Sequence, residues 1–250
     1  MRVVALHEDV LVCTSAFWQT TCTIVHRGEE AFVVDSPVLP DELEALGGVL
    51  EHVGWSLSGL LATHADWDHL LGRLAFPDAA LGCAETTAAR LKGSMGEAVR
   101  ELRAFDDEHY VERPAPLQLG DVQALPVPGK LEIGDAELEL HATEGHVPEG
   151  MAVWVPWARV LVCGDYLSPV EIPWISEGGS RTAYRATLER LAPLVEQADH
   201  VVPGHGAVMD ATRAAAILRE DLAYLETGEL PLARRSPAQK KIDAENRGRW

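Results

Sequence analysis

The chain has 250 residues, 47% of them hydrophobic and 24% charged, with Gly at 21 positions and Pro at 15. That make-up belongs to a globular protein with ample core, one large domain or two small ones, and it excludes fibrous and linker-dominated chains. Lys plus Arg at 21 against Asp plus Glu at 39 gives a formal charge of −18, which repels polyphosphate at long range and argues against nucleic acid and anionic membrane as partners.

The N-terminal MRVVALHEDV has an apolar run too short for the core of a signal peptide. No stretch reaches the ~20 apolar residues of a membrane span, so the sequence reads as cytoplasmic. Short β-branched runs follow one another at Val3–Leu6, Val10–Thr14, Thr20–His26 and Ala31–Asp35 and predict an antiparallel meander. Pro40 and Asp41 open a helix with Leu43, Leu46, Leu50 and Val53 on one face and Gly54 closing it. A strand over Gly59–Thr63, a helix from Asp68 to Phe76 and a strand over Ala80–Ala84 come next. Glu85–Phe105 reads as helix interrupted around Gly93–Gly96.

From Asp106 to Gly134 the periodicity fades into prolines and an acidic cluster, and residues 92–123 are expected to form a lid that covers a cleft and selects substrate. Strands return at Ala136–Ala142, Met151–Val155 and Arg159–Cys163, followed by a helix over Ser180–Gln197, a strand over His200–Val202 and a helix over Asp210–Glu226. Two rounds of strands followed by helices predict one layered α/β domain over residues 1–227. Residues 228–250, polar and basic, read as a tail, flexible or docking. Cys13, Cys22, Cys83 and Cys163 are widely spaced with no C-x-x-C pair, which fits reduced thiols.

The chemistry concentrates in LLATHADWDHLLG, where His64, Asp66, Asp68 and His69 fall within six residues at the junction of an apolar strand and a helix. An N-capping aspartate explains one carboxylate there. It does not explain two histidines. Imidazole and carboxylate are ligands of borderline divalent metals, and four such donors in one turn can hold more than one ion. His146 in EGHVPEG, Asp165 in LVCGDYL and His205 in VPGHG each follow an apolar stretch and sit against glycine, which permits a sharp turn that aims a side chain into a cleft.

This ordered set resembles the metallo-β-lactamase superfamily, with its T-H-x-H-x-D-H, G-H-x-P-G, G-D and P-G-H-G pattern. The resemblance implies an αβ/βα sandwich of two similar halves. It implies His64, Asp66 and His146 on one divalent ion, Asp68, His69 and His205 on a second, and Asp165 between them. Zinc is the expected metal, with iron or manganese as the alternatives. The activity implied is hydrolysis, a metal-bound hydroxide attacking the carbonyl of a small-molecule ester, thioester or lactone, with Asp68 orienting the nucleophile. Trp67, Tyr110 and Tyr166 are the expected substrate contacts. Asp35 matches an aspartate of the family as well as it matches a turn residue.

The departure from the pattern is Asp66, where the family has histidine. The extra carboxylate makes a more neutral, harder site that tolerates iron or manganese better, and by charge alone Asp66→His should tighten zinc. A second reading is therefore an iron-dependent redox enzyme on the same fold. The third is a non-catalytic binding protein, against which stands a metal-capable residue at every ligand position.

Overall fold

The computed structural model describes residues 1–94 and 96–250, and among these the strands form two sheets. The first is laid down in chain order. β1 (Arg2–His7), β2 (Val10–Thr14), β3 (Thr21–Arg27) and β4 (Glu30–Asp35) make an antiparallel meander. After α1 (Pro40–Val53), β5 (Leu57–Leu61) pairs parallel with β4. α2 (Gly72–Ala75) leads to β6 (Leu81–Ala84), and α3 (Glu85–Gly93) with α4 (Glu97–His109) leads to β7 (Val122–Leu125), both strands again parallel to their neighbours. The direction changes where helices replace hairpins, because a crossover returns the chain to the starting edge.

The second sheet takes the rest of the chain: β8 (Gly129–Ile133), β9 (Ala136–Ala142), β10 (Met151–Val155), β11 (Val160–Val162), α5 (Arg181–Gln197), β12 (His200–Val202), α6 (Ala211–Thr227) and α7 (Pro237–Arg247). Its strand order is β12-β11-β10-β9-β8. Only β11 and β12, separated by α5, run parallel.

Side-chain alternation explains the layering. Leu11 and Cys13 of β2 point to the helices of the first half, while Val10 and Val12 point to the second sheet. In β10, Met151, Val153 and Val155 meet that inter-sheet layer and Ala152 and Trp154 face α5 and α6. A strand buried on both faces must be apolar at every position, which is why these runs look continuous in sequence. Each fully buried Val, Leu or Ile contributes roughly 1.5–3 kcal/mol. The helices close the outer layers: α1 buries Leu43, Leu46 and Leu50 and ends on Gly54 at φ 75°, α5 is capped by Ser180 and α6 by Asp210. The product is the expected four-layer αβ/βα sandwich.

Two local expectations need correction. Asp68–Phe76 is a single 3-10 turn, Trp67–His69, followed by the short α2. Ser36 Oγ donates to the Asp68 carbonyl and accepts from Leu71 N, both at 3.0 Å, which withdraws two backbone groups from an α-helical ladder. Residues 92–123, of which Met95 lies outside the described residues, carry α4 and the approach to β7, and Leu102, Phe105 and Leu117 are buried in the first core. The segment is a packed layer of the sandwich rather than an inserted lid.

For the tail, the structure takes the docking alternative. Residues 228–250 form a 3-10 turn and α7, docked on the second half. Buried Arg234 pairs with Asp221 at 2.6 Å and donates to the Ser168 and Glu171 carbonyls. Asn246 accepts from Ile175 N at 2.8 Å and donates to the Pro173 carbonyl at 2.7 Å. Sequence periodicity missed this arm because its docking is polar. All four cysteines are free and buried. No helix among the described residues is long and apolar enough to cross a membrane.

Candidate metal centre

The motif residues converge where four strands end. His64 and Asp66 follow β5, His146 follows β9, Asp165 follows β11 and His205 follows β12. Backbone bonds stitch the halves together at this rim, among them Met151 N to the Thr63 carbonyl at 2.7 Å, Thr21 N to the Gly204 carbonyl at 2.8 Å and Gly206 N to the Gln19 carbonyl at 3.0 Å. Gly204 has to be glycine, since a Cβ there would lie 2.1 Å from Asp165 Oδ1. Gly145, at φ 122°, lies against the backbone of Tyr184 and turns the chain into His146.

The donors fall into two sets that share one carboxylate. In the first, Asp66 Oδ2 is 3.3 Å from His146 Nε2 and 3.7 Å from His64 Nε2, and Asp165 Oδ2 is 3.4 and 3.7 Å from the same nitrogens. In the second, Asp68 Oδ2 is 3.3 Å from His205 Nε2 and 3.7 Å from His69 Nε2, and Asp165 Oδ1 lies 3.5 and 3.2 Å from those nitrogens. A tetrahedral ion with bonds of about 2.0–2.1 Å needs donors roughly 3.3 Å apart. Both sets have that spacing, and Asp165 offers one oxygen to each.

The buried atoms carry a second sign. His64 Nε2, His69 Nε2, His146 Nε2 and Asp165 Oδ1 have no hydrogen-bond partner, whereas buried polar groups in folded proteins are almost always satisfied. The other ring nitrogens of His64, His146 and His205 have hydrogen-bond partners, and that of His69 faces a carboxylate out of hydrogen-bond alignment. Thr63 Oγ1 gives its proton to Asp35 Oδ2 at 2.9 Å and so accepts from His64 Nδ1 at 3.0 Å. His69 Nδ1 sits 3.0 Å from Asp35 Oδ2. His146 Nδ1 donates to the Trp174 carbonyl at 2.9 Å, and His205 Nδ1 faces Thr20 Oγ1 at 3.3 Å. Anchoring Nδ1 leaves the Nε2 lone pair for an ion. The residues therefore fit a pair of divalent cations.

Asp35 is the hub of this support in the first half. It holds φ 58°, a left-handed conformation uncommon for a non-glycine residue, and accepts from Thr63 N at 2.8 Å.

Electrostatics point the same way. Burial alone would raise Asp165, but His205, His69 and His64 hold its carboxyl well below the usual range. Burial would lower His146, yet the adjoining Asp66 and Asp165 carboxylates push it up to about 9. His69 and His205 are also raised, their carboxylate neighbours overcoming burial, while His64 is lowered by burial and by His69. Without metal, protons on imidazole supply the positive charge that three carboxylates demand.

All seven predicted ligands meet here. The expected substrate contacts do not. Tyr110 is 93% exposed at the end of α4, where its left-handed φ of 54° carries it clear of the packed face. Tyr166 is buried beneath the centre, its hydroxyl accepting from His146 N at 3.2 Å. Trp67 is packed under Phe105 at 4.7 Å and Trp18 at 5.7 Å between ring centroids. The accessible aromatic rings near the donors are Trp18, 6.4 Å from the His205 ring, and Trp174, 5.4 Å from that of His146. Sequence reasoning missed both, as it missed Thr20, Thr63, Arg90 and Glu149. A tryptophan in a loop reads as packing until the tertiary structure shows which face it covers.

Comparison with known proteins agrees with this geometry. The family model of the metallo-beta-lactamase superfamily matches residues 16–205. A hydroxyacylglutathione hydrolase from Ruegeria pomeroyi is 27% identical over 195 residues, 78% of this chain and 65% of that protein. A beta-lactamase-like protein 2 homolog from Caenorhabditis elegans is 23% identical over 197 residues, 76% of this chain and 57% of its own length. The chain thus spans about three fifths of these curated relatives. Among solved structures, the DIM-1 metallo-beta-lactamase superposes with a TM-score of 0.66 at 20% identity, covering 91% of this chain and 97% of that one, which fixes the fold. With the motifs in order, the sandwich closed around them and the family model running from the Trp18 loop to His205, this chain belongs to the metallo-β-lactamase superfamily.

Proposed function

We propose that the protein is a metal-dependent hydrolase of a small-molecule thioester, ester or lactone. The observation that carries this reading is the sharing of Asp165: one carboxylate presents Oδ2 to the set of His64, Asp66 and His146 and Oδ1 to the set of Asp68, His69 and His205. These two sets would hold divalent ions, which when bound would supply Lewis acidity toward a substrate carbonyl and acidify water. Zinc suits the imidazole-rich donors, while the third carboxylate, Asp66, also admits iron or manganese.

The chain's own part is positioning and proton handling. Asp68 stands at the second set and takes the proton of the attacking water, which then passes to the departing thiolate or alkoxide as the acyl bond breaks. Trp18 and Trp174 flank the donors on opposite sides and offer apolar walls to an acyl group. The curated relative named hydroxyacylglutathione hydrolase favours thioesters within this class. The acidic charge of the chain works against phosphodiesters.

The test is turnover of a panel of thioesters, esters, lactones, β-lactams and phosphodiesters by zinc-loaded protein, with and without chelator. Thioester cleavage should lead and should vanish with chelator and in Asp165→Ala. Oxygen consumption by iron-loaded protein without carbonyl turnover would instead establish the redox reading that Asp66 favours.

A further inference from the structure

Each imidazole of the centre has a partner behind it, and so does Asp66. Its Oδ2 faces His64 and His146, while its Oδ1 lies 3.1 Å from Arg90 Nη1 on α3. The same nitrogen lies 2.9 Å from Glu149 Oε1. Glu149 is buried, accepts from Ala65 N at 3.3 Å and from the Thr87 hydroxyl, and belongs to the loop that carries His146. Thr87 and Arg90 are three residues apart and so share one face of α3. Three segments distant in sequence therefore meet behind one ligand.

We infer that Arg90 is a positioning residue for the first metal set and that Asp66 and Arg90 function as a unit. A free aspartate can rotate to offer both oxygens or retreat, being shorter than the histidine it replaces. Arg90 occupies Oδ1 and leaves Oδ2 alone turned toward His64 and His146. Its charge also offsets the carboxylate that this centre has in excess of the family pattern, while Glu149 keeps the guanidinium from swinging into the cleft. Charge counting on the motif alone omitted Arg90. With Arg90 in place, Asp66→His sets an imidazole and an ion against a cation that has lost one of its two carboxylates, so the single change should weaken the first set rather than tighten it.

The inference rests on the two-ion centre and not on the choice of substrate. Its test is stepwise zinc binding to metal-free protein, read by chelator competition and metal analysis, with thermal melts of each metal-free variant. Wild type should take up two ions. Arg90→Met/Glu149→Gln, which leaves no unpaired buried carboxylate, should weaken one binding step by about 10–100-fold and spare the other, the range seen when a group behind a ligand is lost. Arg90→Lys, which keeps the charge without the planar fork, should recover part of that loss. Asp66→His should hold one ion, and Asp66→His/Arg90→Met should regain the second. Two unchanged steps in the Arg90→Met/Glu149→Gln variant would overturn the inference, as would equal weakening of both steps in proportion to a lowered melting temperature. Wild type that binds no zinc would overturn the centre itself.

Discussion

The two halves of the centre are built differently. In the first half His64, Asp66, Asp68 and His69 come from one turn after β5, and apart from Arg90 and Glu149 behind Asp66 their support is near at hand: Thr63 is adjacent, and Asp35 and Ser36 lie at the end of the neighbouring strand. In the second half His146, Asp165 and His205 come from three loops, and the groups behind them are remote. The Trp174 carbonyl orients His146. Its flanking residues Pro173 and Ile175 are both held by Asn246 of α7, and the start of the same loop is held by Arg234. Asp66 apart, one half is fixed by local turn geometry and the other by long-range packing, so substitutions in the C-terminal arm should reach the second half first.

The sharpest way to test the comparison is at the residue common to both donor sets. Asp165→Ala should lose both ions and cost more than the roughly 10–100-fold that removal of a group behind a ligand costs, whereas Asp66→Ala should lose one ion and less activity. Metal content and steady-state rates of the two variants decide it. Equal losses would mean that the two donor sets do not hold separate ions.

Arg234→Met comes next. Breaking the buried pair with Asp221 should lower stability by about 3–5 kcal/mol, read by denaturant unfolding, and should loosen the 168–175 loop. Among molecules still folded, His146 should lose its orientation while His64 and His69 keep theirs, which histidine NMR resonances of the metal-free protein can follow. Equal disturbance of all four rings would break the comparison.

Metal uptake should depend on pH with a definite sign. His146 is raised to about 9, so between pH 7 and 9 the metal-free protein holds a proton there that an ion must displace. Affinity for zinc should therefore rise with pH through that window, by about tenfold per unit for each displaced proton, and His146 should stop contributing above about 9. His64, lowered by burial, should add nothing to this rise. Calorimetry in buffers of different ionisation enthalpy counts the protons released; none at pH 8 would contradict the charge balance described for the centre.

The smallest effect belongs to Tyr110. Exposed at the end of α4 and outside both halves, its replacement by alanine should change stability by less than about 0.5 kcal/mol and leave substrate preference intact. A shift in preference across the substrate panel would return this segment to the cleft.

The residues legible in sequence were those whose role is written in local pattern. The apolar runs of β2, β3 and β10 had to be buried strands, and Pro40 and Gly54 had to bracket α1, because backbone constraints and period-two burial act over a few residues. The candidate metal donors were legible too, since donor types in ordered motifs survive as text. Only the tertiary structure decided what stands behind them. Arg90, Glu149 and Trp18 stand in no motif, and Asn246 and Arg234 belong to a segment that reads equally as flexible or docking. Each gains its role from a partner dozens of residues away, and a pairing that depends on where two chain segments meet leaves no periodic trace in either of them.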